Sequence, residues 1–402
     1  MHDKKYCRSE KRPGVIVSCV AATLLIAFSA SLMTPAHAGY VEQAQRLHDR
    51  LAGVPPTEDV LQEMADAINP ALPGNANTAA TIAMDNKNFY NVTLKNFAAP
   101  WTNRDQSVFV PLNDYIATVI GMIRDGVPFN TLLSHNITYV GRSGLVSAAP
   151  SASNNDHYQQ LEANNIDLKD ALESASQAAI QSIPEAATAG VMTSRAASEA
   201  FFVAGTNRAM FRFTMLNHFC TDLEQLHDPK LPPDRIRQDV SRSPGGDSRL
   251  FLNNCIGCHT GMDPMAQAFA YYNFDEAAGA LEYTAPNVQP KYFNNDLNFP
   301  QGFRTPDDAW DNYWRKGQNS YLGFDEGRPG SGSGAKSLGE ELGNSQAFAA
   351  CQVKKAFRAM CLRDPENETD RAKVADIVTT FRGTGYQMKQ VFADAAVYCM
   401  GE

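Results

Sequence analysis

Residues 253–264 read NNCIGCHTGMDP and place Cys255, Cys258 and His259 within five positions. Two thiols three residues apart, with an imidazole next to the second, match one chemical task closely. The thiols can add across two vinyl groups on one edge of a porphyrin. The adjacent histidine then reaches the iron from below, all within one helical turn. The reading is one covalently bound haem c, held by Cys255 and Cys258, with His259 as the proximal iron ligand.

Three other chemistries compete for the same residues. A zinc site wants a second Cys/His pair at short spacing. Cys351 and Cys361 lie ten apart with no histidine nearby. A redox dithiol wants a βαβ setting, and the flanks here are Asn-rich and helical in pattern. A plain disulfide leaves His259 without a role.

Elements must carry this motif. The chain of 402 residues is 44% hydrophobic and 20% charged, enough for a sizeable core and two or three domains. Lys4, Lys5, Arg8, Lys11 and Arg12 precede an apolar run from Gly14 to Met33, and Ala36-His37-Ala38 follows. This is the pattern of a secretory signal peptide over 1–38, cleaved after Ala38. A membrane anchor is the competing reading. Ile16-Val17-Ser18-Cys19 is not read as a lipoprotein box, because the apolar run continues past it. Without residues 1–38 the chain keeps 30 Lys and Arg against 42 Asp and Glu. That acidic balance disfavours nucleic acid and anionic membrane as partners, and no later stretch is suited to a stable membrane span. Export implies the periplasm, an oxidising compartment where unpaired thiols are disfavoured. Six cysteines remain, and four are left once two hold haem; four allow three pairings.

The pattern predicts a mainly α fold: an N-terminal mainly helical domain over 39–184, then a cytochrome c-like helical haem domain with long irregular loops over 185–402. Helices are expected over 41–51, 57–68, 113–124, 339–362, 369–381 and 387–398, with 156–183 and 194–226 helix-rich and a break near Gly205. Residues 72–110 and 134–155 read as turns with short strands. Residues 326–334, EGRPGSGSG, read as a flexible linker.

Several segments around the motif go together: Gly190-Val191-Met192-Thr193, Thr206-Asn207-Arg208, an apolar helix ending at Cys220, the motif itself, Met262-Asp263-Pro264, and Ala268 through Asp275. In this order they resemble the planctomycete-type cytochrome c family. Residues 348–363 and 381–399 are similar to the helices of its companion C-terminal module. Ala209 and Ala266 stand where that family usually has glycine. The resemblance covers about 185–402 and implies haem redox work. It also implies a disulfide between Cys220 and Cys351, both in family-like helices. Cys361 and Cys399 then pair by elimination, the last helix folding back.

Other residues are open to two readings. Arg208 and Arg212 share a helix face and suit haem propionates, or structural carboxylates. Met388 follows the Gly383/Gly385 turn and opens the last helix, the order in which small cytochromes c place a distal methionine. It is the best single candidate for the distal iron ligand, and a core contact is the competing reading. Met360, Met210, Met215 and His218 are further candidates; Met262 and Met265 follow His259 too closely and read as packing residues. Tyr271, Tyr272 and Phe274 suit a haem wall or a core, and Trp101, Trp310 and Trp314 a ligand groove or buried anchors. Three functions follow: an exported mono-haem electron carrier serving periplasmic redox proteins, a haem-dependent oxidoreductase with an open distal site, and a haem-stapled binding module.

Overall fold

Local chemistry sets the helix ends. The computed structural model describes residues 38–203, 205–236, 248–292 and 303–401; the expected signal peptide lies outside them, save Ala38. Helix α1 (Tyr40–Ala52) buries Ala44, Leu47 and Leu51 at helical spacing. It stops at Gly53, whose φ of 72° lets its N–H turn back to the Asp49 carbonyl. Helix α2 (Glu58–Ile68) starts with Glu58 and Asp59, which complement its N-terminal dipole. Helix α3 (Ala76–Met84) is capped by Asn75 and packs on both. Helix α4 (Asp114–Asp125) runs from its cap Asn113 to the left-handed Gly126.

Further on lie α5 (Asp156–Ala163), α6 (Arg195–Phe201), α7 (Arg208–Phe219) and α8 (Ile256–Ala266). The chain closes with α9 (Gly334–Gly343), α10 (Gln346–Cys361), α11 (Glu368–Gly383) and α12 (Met388–Tyr398). Strands are short and pair antiparallel in two-stranded sheets: β1 (Thr138–Gly141) with β2 (Leu172–Ala175), β3 (Tyr272–Asp275) with β4 (Ala280–Tyr283), and β5 (Ala309–Asp311) with β6 (Ser331–Ser333).

The fold is mainly α, with four local corrections. Residues 72–110 hold α3 and a helical run over 89–102 and no strand, because Asn75 caps a helix in what reads as a turn. The 156–183 region is broken after α5, where Asn165 takes a φ of 49°, and β2 then pairs with β1. The single helix expected over 339–362 is two, because Ser345 caps α10 by accepting from the Phe348 N–H at 3.1 Å. The 326–334 segment is not a free linker: Ser331–Ser333 pairs with Ala309–Asp311.

Residues on both sides of position 184/185 contribute to a shared core. One apolar cluster runs from Ala44 to Ala396. Helix α12 packs on α3 and α1 as well as on α10 and α11, and α10 packs on α7. Two disulfides fasten this part. Cys220–Cys351 joins the end of α7 to α10, and Cys361–Cys399 joins the end of α10 to the end of α12, each with Cα atoms 5.3 Å apart. No helix among the described residues is long and apolar enough to cross a membrane.

Candidate functional site

Helix α8 carries the motif, although Gly257 and Gly261 disfavour helix and Pro264 interrupts its hydrogen-bond ladder. Packing explains both glycines. A Cβ at Gly257 would enter the His227 imidazole, and one at Gly261 would enter the Trp314 indole. The back of α8 is thus pressed against neighbours. Two hydrogen bonds lock it: Asp228 N–H donates to the Gly257 carbonyl at 2.9 Å, and Thr260 Oγ1 donates to the Asp228 carbonyl at 2.9 Å.

The front of the helix stays accessible. Gly257, Thr260 and Gly261 are buried, while Cys255, Cys258 and His259 are each partly exposed. The two cysteines are free thiols. Burial first, then the Glu224 carboxylate, pushes the Cys258 thiol above its ordinary range. A reactive dithiol needs the opposite shift. Leu250 and Leu252, just upstream, are 44% and 57% exposed and leave apolar surface beside the motif.

His259 is held by a residue one turn on. Its Nδ1 stands 3.0 Å and 3.1 Å from the two carboxylate oxygens of Asp263. Asp263 is buried and accepts from Arg208 Nε at 2.9 Å and Nη2 at 3.1 Å. Burial alone would raise its pKa, but Arg208 and the His259 hydrogen bond outweigh it and hold the carboxyl at about 2. An ionised carboxylate only accepts, so Nδ1 carries the proton. Among the described residues the hydrogen bonds of this ring are those of Nδ1 to Asp263. This donor set, two unpaired thiols and an oriented imidazole on one accessible face, fits a c-type haem. Among the described residues no three His, Cys, Asp or Glu side chains converge as a protein-only metal site.

The remaining candidates fall elsewhere. Arg208 joins the site through Asp263, not as a free propionate donor. Arg212 is engaged by Asp222, with Nε at 2.8 Å from Oδ1 and Nη2 at 2.6 Å from Oδ2. Both arginines bridge carboxylates, the second of the two roles the sequence leaves open for them. Met388 is not brought to His259. It is 2% exposed in the core, at the start of a helix whose main neighbours are α1, α3, α4, α10 and α11, whereas α8 packs on α7 and the 223–226 and 313–315 turns. The turn before it is tied to α4 by a hydrogen bond from Gln387 Nε2 to the Gly126 carbonyl at 2.9 Å. Met210, Met215 and Met360 are core residues too. His218 is buried, bonded to the Tyr115 hydroxyl at 2.8 Å. Tyr271, Tyr272, Phe274, Trp101, Trp310 and Trp314 are all buried. Sequence reasoning named Asp263 only within a family pattern and gave it no role; its i,i+4 spacing from His259 was the signal.

Comparison with protein-family models, with curated proteins and with solved structures found no match for this chain. Its functional reading rests on the residues of the site.

Proposed function

We propose that the protein is an exported c-type cytochrome carrying one covalent haem, working as an electron carrier in the periplasm. The observation that carries the reading is the accessible face of α8, where two unpaired cysteines and an imidazole held at Nδ1 by Asp263 stand within one turn. Cys255 and Cys258 would anchor the group by thioether bonds, and His259 Nε2 would be its axial ligand. When bound, such a haem supplies one-electron chemistry at its iron. Asp263 fixes the tautomer and orientation of His259, the usual task of a carboxylate behind a ligating imidazole. Arg208 balances the charge of Asp263. Gly257 and Gly261 let α8 sit against His227 and Trp314, so the face that presents the thiols is rigid. The two disulfides suit an oxidising compartment.

A second reading, a haem-dependent oxidoreductase with an open distal site, is favoured by one observation. Met388, Met360, Met210, Met215 and His218, the residues the sequence offers as distal ligands, are all committed to the core. An absorption spectrum of the reduced protein, with and without carbon monoxide, tests both. A haem spectrum unchanged by the gas supports the closed electron carrier. A shifted one supports the open site, and no haem spectrum overturns both.

A further inference from the structure

A cavity of about 480 Å³ opens between α7, α10 and the 97–106 segment, within the usual range of small-molecule sites. Phe97, Pro100, Trp101 and Leu216 give it apolar walls, and Lys355 and Arg358 give it charge. Lys355 is the unusual member. Its ammonium lies 4.0 Å from the centroid of the Trp101 ring and donates to the Asn217 carbonyl.

No carboxylate answers that ammonium. The nearby acid, Asp364, is taken by Arg358 through contacts of 2.7 to 3.0 Å and lies 4.0 Å from Lys354. Arg358 and Lys354 therefore share that carboxylate, and among the described residues Lys355 forms no ion pair. A π face and a carbonyl dipole compensate an ammonium withdrawn from water only in part. Burial, with Arg358 adding repulsion, pushes the Lys355 pKa well below its ordinary value. A ligand bringing both a negative charge and an apolar body would satisfy what the protein leaves unsatisfied.

We propose that this cavity binds a small aromatic or similarly flat monocarboxylate, its carboxylate on Lys355 and its body against Phe97, Pro100 and Leu216. The site is separate from the α8 face and does not depend on haem. Nothing but charge and shape complementarity is required, and no bond is made or broken.

Benzoate is the probe, with neutral benzamide as its control, titrated calorimetrically into the protein. The expected result is one site, at least tenfold tighter for benzoate than for benzamide. Lys355→Met keeps the apolar stem and should weaken benzoate at least tenfold. Equal affinity for benzamide, or unchanged benzoate binding by Lys355→Met, overturns the proposal. If that variant does not fold, acetic anhydride labelling of the wild type decides. Benzoate should slow modification of Lys355 at least tenfold, and labelling indifferent to benzoate rejects the site.

Discussion

His259 and Asp263 are four residues apart on one helix, and the imidazole Nδ1 lies 3.0 Å from the nearer oxygen of a carboxylate that is itself 2% exposed. A buried anion in that place does two things. It holds the imidazole as a donor at Nδ1, and it would orient Nε2 toward the iron of the proposed haem.

Asp263→Asn keeps a hydrogen-bond acceptor but removes the charge. Haem content should be unchanged. The oxidised iron, which gains more from a basic ligand, should lose stability relative to the reduced. A tenfold change in that equilibrium is about 59 mV for one electron, and a rise of that order is expected in a spectroelectrochemical titration. An unchanged or lowered potential would show that the Asp263 charge does not reach the iron.

Arg208→Met leaves Asp263 buried with His259 as its one side-chain partner among the described residues. Stranding a buried carboxylate this way should cost about 2–3 kcal/mol. Denaturant unfolding should show it as a lower midpoint with the slope kept. Arg212→Met, at the more exposed pair with Asp222, should cost under about 1 kcal/mol.

Gly261→Ala puts a methyl into the space of the Trp314 indole, which is fully buried. Overpacking of this kind costs about 1–3 kcal/mol. The melting temperature should fall and Trp314 fluorescence should change. Wild-type stability would mean that α8 is not held against Trp314.

Cys361 and Cys399 are 38 positions apart in sequence. Replacing both with Ala should cost about 2–4 kcal/mol, chiefly by releasing the unfolded chain. Peptide mapping without reductant should recover this pair and Cys220–Cys351 joined, with Cys255 and Cys258 outside any disulfide.

How far the sequence led is clearest residue by residue. Helices α1 and α4 were legible, because apolar spacing and local caps such as Asn113 and Gly126 agree. The Cys255–His259 unit was legible because its chemistry is local, contained in one turn. Met388 was open to two readings because order along the chain says nothing about which helix faces which; here α12 closes against the N-terminal helices. The 156–183 segment misled because its helical pattern contains Asn164-Asn165, and β1, far upstream in sequence, captures residues 172–175. Asp263 and Lys355 gained their meaning only from burial and neighbours: Arg208 lies 55 positions before Asp263, and Trp101 over 250 before Lys355.

The central claim is covalent haem on α8, and one measurement tests it most directly. The full 402-residue chain is expressed in a host with intact cytochrome c maturation, purified, denatured in acid acetone and digested. Mass spectrometry of the peptide spanning Cys255 to His259 is then read. The account predicts haem on that peptide, retained through denaturation and lost in Cys255→Ser/Cys258→Ser. A wild-type peptide whose two thiols are free to alkylate, or joined to each other, with no haem attached, contradicts it.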